Sequence, residues 1–298
     1  MKSINLVPQT LGQTLGQTLA SLQARGLDRL DAQLLLLHLL GKPASQRGWL
    51  LSHGDAPLPP AIASALEPLV QRRLSGEPLA YLTGRKEFFG LDLQVDARVL
   101  VPRPDTETLV NWALELLDGQ QRVLDLGTGS GAIALALKAS QPTLHVHATD
   151  LSAEALAVAQ ANAQRLQHDV SFHQGAWFAA LPAAEPRFDC IVSNPPYIAE
   201  LDPHLAALMF EPAQALTSGS DGLDDLRQLI TQAPRHLVPG GWLLLEHGYD
   251  QAQAVRNLLT DTGFVQVQSL RDLAGIERCS GGQFKPTNQR HPDHDQPH

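Results

Sequence analysis

Cysteine is scarce in this chain of 298 residues: it holds two, Cys190 and Cys279. That is too few for a disulfide framework, and they lack metal-ligand spacing. Cys190 lies in an apolar run and reads as a small core hydrophobe. Long apolar runs are missing as well. The longest, Leu34-Leu35-Leu36-Leu37 with Leu39-Leu40, is broken by His38 and stopped by Gly41, far short of the ~20 residues that a membrane span needs. The N-terminus has an early Lys2 but no apolar signal core or small-residue cleavage pattern, which predicts a cytoplasmic protein without membrane association. Basic residues are outnumbered, with Lys plus Arg at 22 against Asp plus Glu at 31 and a formal net charge of −9. A non-specific grip on nucleic-acid phosphates needs clustered Lys and Arg. The basic residues Arg72-Arg73, Arg85-Lys86 and Arg98 are too sparse for such a stripe, so no direct nucleic-acid contact is expected. They would suit a protein partner held near RNA.

The chain does have an ordinary globular composition, 43% hydrophobic, and the length for one large domain plus a small one. Residues 10–74 read as helical. One helix stops at Gly41 with Pro43 beyond, and Pro57, Pro59 and Pro60 open another through Leu66, Leu69, Val70 and Leu74. Gly76-Glu77-Pro78 marks a boundary, and Glu87 to Val95 looks like a hairpin turning near Gly90. From about Arg122 the pattern alternates. Strands are expected at 123–126, 145–149, 170–173, 188–193 and 242–246, with helices at 130–139 and 152–166 between them. A helix at 250–261, a strand at 264–270 and a last strand at 277–284 close the domain. Such βαβ alternation predicts an α/β fold, a mostly parallel sheet with helices on both faces. The expected organisation is a helical bundle over 1–76, a β-hairpin linker over 77–101, an α/β domain over 102–284 and a disordered tail over 285–298, where apolar residues all but vanish.

Two loops carry the chemistry. Val123-Leu124-Asp125-Leu126-Gly127-Thr128-Gly129-Ser130-Gly131 is a strand entering a glycine-rich turn and then a helix. Bare backbone there lets a ligand approach and faces it with a helix N-terminus. The spacing is G-x-G-x-G, which misses the dinucleotide pattern G-x-G-x-x-G and excludes a nicotinamide dehydrogenase. Asp150 follows at the end of the second strand, where a carboxylate can accept both ribose hydroxyls of a nucleoside. The second loop, Asn194-Pro195-Pro196-Tyr197, leaves the fourth strand. The Asn194 side-chain oxygen can accept one N–H of a planar –NH2 group and the Pro195 carbonyl the other, while neither proline has an N–H to compete. Tyr197 offers a ring face to a substrate or a methyl-donor cation. Alone, Asn-Pro would equally suit a rigid turn after a strand; the glycine turn, Asp150 and Asn194 to Tyr197 in that order favour the chemical reading.

In these features the chain resembles the S-adenosylmethionine-dependent methyltransferases that modify amide or exocyclic amino nitrogens. Further motifs are Glu77-Pro78-Leu79-Ala80-Tyr81-Leu82-Thr83-Gly84, Glu87-Phe88, Leu100-Val101-Pro102-Arg103-Pro104-Asp105-Thr106-Glu107 and Leu245-Glu246-His247-Gly248. With these the chain is similar to the bacterial peptide-chain release factor glutamine N5-methyltransferases over about residues 25–280. The resemblance implies a Rossmann-like class I methyltransferase domain, S-adenosyl-L-methionine as cofactor with S-adenosyl-L-homocysteine as product, and no metal. It implies methylation of the glutamine in the Gly-Gly-Gln motif of class-1 release factors, with the helical bundle docking that protein substrate. Carried onto this sequence, Gly127, Thr128, Gly129, Ser130 and Gly131 line the methionine part of the cofactor, Asp150 holds the ribose, and Trp177 is the adenine-side aromatic. Asn194 touches both cofactor and substrate, while Pro195, Pro196 and Tyr197 complete the glutamine pocket. Phe89, Arg103 and Thr106 would wall the site. For Trp177 and Phe89, plain core packing is the competing expectation.

Three rivals are to be weighed. A sister group that methylates ribosomal protein L3 typically reads Pro-Arg-Ser-Pro where this chain has Pro102-Arg103-Pro104-Asp105. An adenine N6-methyltransferase also handles a planar –NH2 but needs base flipping and a basic groove. A non-catalytic cofactor binder would have no use for intact Asn194 to Tyr197. The C-terminus departs from the family's usual Arg-Val and Gly-Arg ending and reads Glu277-Arg278-Cys279-Ser280-Gly281-Gly282-Gln283. It thereby spells Gly-Gly-Gln, which raises self-methylation at Gln283 as a hypothesis against coincidence in a glycine-rich terminus.

Overall fold

The computed structural model describes residues 13–285. The disordered tail expected over 285–298 lies outside the described residues save for Lys285, as do the first positions of the helical stretch expected over 10–74. Two compact units divide the chain, Met1–Arg85 and Lys86–His298.

The first unit is helical: α1 (Leu15–Ala24), α2 (Arg29–Leu39), α3 (Arg47–Ser52), α4 (Pro60–Leu74) and α5 (Leu79–Thr83). Thr14 starts α1 with a capping box, its hydroxyl accepting from Gln17 N–H while the Gln17 side chain accepts from Thr14 N–H. Asp28 caps α2 by accepting from Leu30 N–H, and Pro60 occupies the first turn of α4, where its missing N–H costs nothing. The leucine run in α2 is explained by its surroundings. Leu35, Leu36 and Leu37 are all fully buried because α2 packs on α1, α3, α4 and α5, so it needs an apolar surface wider than one stripe. The stretch 77–101, expected as a hairpin linker, holds the short helix α5 as well.

The hairpin β1 (Arg85–Phe88) and β2 (Leu91–Gln94) starts at the last residue of the first unit and lies otherwise in the second. Its two-residue loop, Phe89-Gly90, has φ of 51° and 76°, the signs of a type I′ turn. Then come α6 (Glu107–Leu116), β3 (Arg122–Leu126), α7 (Ala132–Ser140), β4 (His145–Asp150), α8 (Ala153–Leu166), β5 (Ser171–Gln174), β6 (Phe188–Ser193), α9 (Asp224–Gln232), β7 (Leu237–Glu246), α10 (Ala252–Asp261), β8 (Phe264–Arg271) and β9 (Glu277–Phe284). The sheet has seven strands in the order β5-β4-β3-β6-β7-β9-β8. Strands β5 to β7 pair in parallel, and β9 pairs antiparallel with both β7 and β8. Alternation puts Leu124, Leu126, Ile191, Leu243 and Leu245 on one face, in a core with Leu226 and Leu229 of α9 and Val255 and Leu259 of α10. On the other face Trp112 of α6 meets Trp242 edge to face, ring centroids 6.3 Å apart. Both faces are therefore covered, as a parallel sheet requires.

Several expected starts shift, among them 250 to Ala252 and 170 to Ser171, and two have a visible backbone cause. The helix after the glycine turn starts at Ala132 rather than 130, because Gly131 takes the cap with φ 85°, in the left-handed region. Strand β7 starts at Leu237 rather than 242; between Leu237 opposite Phe188 and Trp242 opposite Cys190, the residues Val238-Pro239-Gly240-Gly241 bulge out of register. Among the described residues no helix is long and apolar enough to cross a membrane.

Candidate active site

Strand order alone locates the site. From β3 the chain runs outward through β4 and β5, then returns to β6 on the other side of β3. In open α/β sheets ligands bind beyond the strand ends at such a reversal. The glycine turn follows β3 there, Asp150 ends β4, and Asn194 to Tyr197 follow β6.

A cavity of about 180 Å³ at this place is lined by Gly127, Gly129, Asp150, Trp177, Asn194 and Pro196, with Leu151, Ala155 and Ala176 adding apolar wall. A second cavity of about 150 Å³ is lined by Arg103, Asn194, Pro195, Tyr197 and Ile198. Asn194 lines both.

The glycine turn divides its work. Gly127 and Gly129 face the first cavity. A Cβ at Gly127 would lie 3.1 Å from Cζ3 of Trp177. Thr128, Ser130 and Gly131 support the loop from behind: the Thr128 hydroxyl donates to Oδ2 of Asp125 at 2.6 Å, the Ser130 carbonyl accepts from Nδ2 of Asn162 at 3.0 Å, and Gly131 caps α7. Asp125 is fully buried, and its Oδ1 has no partner among the described residues. Burial raises its carboxyl to about 7, against the Thr128 hydroxyl and the Ala134 N–H.

Asp150 accepts from Gly129 N–H at 2.8 Å through Oδ2 and from Ser152 N–H at 2.9 Å through Oδ1. Each oxygen keeps a further lone pair for a ligand hydroxyl. Burial pushes its pKa up, and those backbone donors oppose the shift. Trp177 has φ 48°, a strained value for a bulky residue. Its Nε1 donates to Oδ1 of Asp225 at 3.2 Å, which fixes the indole against the cavity.

The Asn194 to Tyr197 loop is held from several sides. Nδ2 of Asn194 donates to Oγ1 of Thr106 at 3.1 Å, and the Tyr197 hydroxyl donates to Oε1 of Glu246 at 3.3 Å. The Tyr197 carbonyl accepts from Nε2 of Gln251 at 3.0 Å. Nη2 of Arg103 donates to Oε1 of the buried Glu211 at 2.5 Å. Phe89 lines neither cavity; it sits in the hairpin turn, its N–H donating to Oε1 of Glu107 at 3.0 Å. Sequence reasoning passed over Asp125, Glu211, Asp225 and Glu246 as site residues. Asp125 and Glu246 stood inside quoted motifs, but Glu211 and Asp225 carried no local signal.

Gln283 is not presented to this site. It lies opposite Trp242 in the strand pair β7–β9, and its Nε2 donates to the Gly240 carbonyl at 2.9 Å. The neighbouring Gly281 is a packing requirement, since a Cβ there would come within 2.6 Å of the Leu243 carbonyl. These contacts oppose self-methylation and account for the tripeptide as strand packing. Away from the site, His147, His173 and Glu185 bring ligand atoms within 4.8 Å of one another. The Arg122 guanidinium already pairs with Glu185 and lies 3.2 Å from Nε2 of His147, so a side-chain cation stands where a metal would compete.

The cradle fits a nucleoside cofactor: bare glycine backbone, an acceptor carboxyl at a strand end and an indole wall meet in one cavity. Comparison with known proteins agrees on the fold and gives the family. Residues 105–221 match the methyltransferase small domain and residues 13–84 match the PrmC N-terminal domain. A release factor glutamine methyltransferase of Bordetella pertussis is 54% identical over 261 residues, 86% of this chain and 95% of that protein. One from Xylella fastidiosa strain Temecula1 is 52% identical over 262 residues, 86% of this chain and 93% of that protein. A methyltransferase from Pyrococcus furiosus superposes with a TM-score of 0.51 at 23% identity, over 72% of this chain and 96% of that one, a likeness of fold. On the strength of the sequence relatives, this chain belongs to the release factor glutamine methyltransferase family.

Proposed function

We propose that this chain transfers a methyl group from S-adenosyl-L-methionine to the side-chain nitrogen N5 of the glutamine in the Gly-Gly-Gln motif of class-1 peptide-chain release factors. The observation that carries the reading is Asn194 standing in the wall of both cavities, one beside Asp150 and Trp177, the other beside Pro195 and Tyr197. The names of the relatives supply the substrate class.

The cofactor supplies an electrophilic methyl on a sulfonium. Gly127 and Gly129 would give it room, Asp150 would accept from the ribose hydroxyls, and Trp177 would wall the adenine. An amide nitrogen is a poor nucleophile because its lone pair is delocalised into the carbonyl. The protein's part is then positioning and charge placement. Oδ1 of Asn194 and the Pro195 carbonyl accept the two N–H groups, turn the nitrogen toward the methyl, and bind it more tightly as positive charge develops. Passage of the methyl from sulfur to nitrogen would leave S-adenosyl-L-homocysteine, and the nitrogen would give up one proton to water. The helical unit docks the release factor, in the cytoplasm where translation ends.

Peptide mass spectrometry after incubation with S-adenosyl-L-methionine and unmodified release factor tests this. A methyl on the glutamine of Gly-Gly-Gln supports it. Methyl on ribosomal protein L3 alone moves the chain to the sister group, and methyl on neither protein overturns the reading.

A further inference from the structure

We infer that Glu211 is a positioning residue for substrate recognition: it holds the Arg103 guanidinium at the second cavity, where Arg103 donates to a main-chain carbonyl of the protein substrate beside the target glutamine. The inference rests on the methyl-transfer reading above and adds to it how the peptide around the glutamine is gripped.

Glu211 is buried, and both of its carboxylate oxygens are taken. Oε2 accepts from the Val101 N–H at 3.0 Å, and Oε1 accepts from Nη2 of Arg103 at 2.5 Å. A carboxylate withdrawn from water needs such charge-assisted partners. Both contacts fall on one short stretch, Val101-Pro102-Arg103, in which the proline ring fixes φ and offers no N–H of its own. One carboxylate thus clamps the backbone of that stretch and the side chain that leaves it.

The clamp joins two segments that wall the cavities. Leu100, just before Val101, and Ala215, shortly after Glu211, each line both cavities, as Asn194 does. Arg103 and Leu208 line the second one. The N–H of Glu211 donates to the Leu208 carbonyl at 2.9 Å, so the carboxylate stands on a turn that itself belongs to the wall. Its reach to Arg103 is fixed from both sides.

Arg103 is not used up by this pair. A guanidinium carries five N–H donors in one plane, and the bond to Glu211 takes one of them. The others have no acceptor among the described residues. The Arg103 side chain is 34% exposed, against 3% for that of Glu211. The buried partner therefore grips one edge of the fork and leaves donors free on the open side.

The chemistry of the acceptor follows from charge. Glu211 already balances the guanidinium, so the free donors call for a neutral oxygen, and peptide carbonyls are the neutral acceptors that a protein substrate brings. The target glutamine's own side-chain carbonyl is the poorer choice. A cation drawing on that oxygen would strengthen delocalisation of the nitrogen lone pair and blunt the nucleophile. A main-chain carbonyl is electronically separate from the reacting amide. Next to glycine, with no Cβ in the way, it is also open to close approach.

The test begins with R103K, which keeps a cation for Glu211 but replaces the fork with a point charge that cannot face both ways. The KM for unmodified release factor should rise about tenfold, the scale of one lost hydrogen bond to a charged group, while kcat stays within about threefold. E211Q turns an NH2 toward one of the two donors that the carboxylate accepted, which frees Arg103, and KM should rise in the same way. Affinity for S-adenosyl-L-methionine, read by calorimetry, should stay within about threefold in both variants. The double variant E211Q/R103K should be no worse than the poorer single one, because both changes act through one guanidinium. An unchanged KM in R103K, additive losses in the double variant, or a loss of cofactor affinity in E211Q would each overturn the inference. A fall in kcat at unchanged KM overturns it too, since it assigns Arg103 to the reacting amide. If E211Q fails to fold by thermal melt, E211D takes its place: the carboxylate is drawn back by one methylene, KM should again rise, and an unchanged KM overturns the inference. A wild-type protein that methylates no release factor defeats the methyl-transfer reading, a result separate from all of these.

Discussion

The indole of Trp177 lies so near Gly127 that a single methyl on that glycine would stand 3.1 Å from its Cζ3 atom. The glycine turn and the aromatic wall are thus one fitted pair, closed from the far side by the bond from Trp177 to Asp225. Gly127 also has φ 72°, so a side chain there meets both backbone strain and the ring. G127A should weaken S-adenosyl-L-methionine binding at least about tenfold, or ~1.4 kcal/mol, as read by calorimetry. D225A should weaken it less, by freeing the ring without pushing it.

Asn194 and Asp150 should separate by kinetic parameter. N194A should lower kcat about 10²–10³-fold, the cost of removing one group that stabilises developing charge. D150A should act mainly on cofactor affinity. Single-turnover rates with saturating S-adenosyl-L-methionine check this, and a full rate for N194A would remove Asn194 from the positioning role.

Two buried carboxyls should each contribute stability that falls as pH rises. Burial lifts the Asp125 and Glu246 carboxyls to about 7, above the ~4 of an unfolded carboxyl. The folded state therefore holds protons that the unfolded state has released, so this contribution is whole below about pH 4 and fades as pH climbs through about 7. Burial also lowers the pKa of His147, His236 and His247, which pushes stability the other way, so the readout is a difference: between about pH 5 and 8 the Tm of wild type should fall relative to that of D125N.

Packing under β9 should tolerate no side chain at Gly281. A Cβ there would meet the Leu243 carbonyl at 2.6 Å, Leu244 Cδ2 at 2.7 Å and Trp112 Cη2 at 2.9 Å. Two of these are side chains that can shift, but the carbonyl belongs to the paired strand. G281A should cost ~1–3 kcal/mol or more by overpacking, measured by chemical denaturation.

Removal of the helical unit should spare cofactor binding and lower activity on the whole release factor. A chain starting after about Gly76 that methylates the intact substrate at the full rate would refute the docking role. Its cofactor affinity by calorimetry serves as the control for folding.

The α/β frame was legible because βαβ alternation is a local pattern, and strand 188–193 was read at its true limits. The shifted helix start at Ala132 depends on Gly131 adopting φ 85°, a backbone choice that composition only hints at. Pro239-Gly240 reads locally as a turn, yet pairing with β6 carries β7 past it to Leu237. For the site, Gly127, Gly129, Asp150, Trp177, Asn194 and Pro196 were named from their motifs and meet in one cavity. Glu211 could not be found that way, since its partners Val101 and Arg103 lie 110 and 108 residues away in sequence. Only the folded chain makes them neighbours.

The Gly281-Gly282-Gln283 tripeptide sits in β9, between β7 and β8, with both strand edges already paired. An enzyme carrying its own proposed target sequence would otherwise act as a decoy for every other copy in the cell. Sealed between two partners, the tripeptide offers no extended strand to a neighbour's cleft, and the pool of enzyme molecules does not compete with the release factors it is proposed to serve.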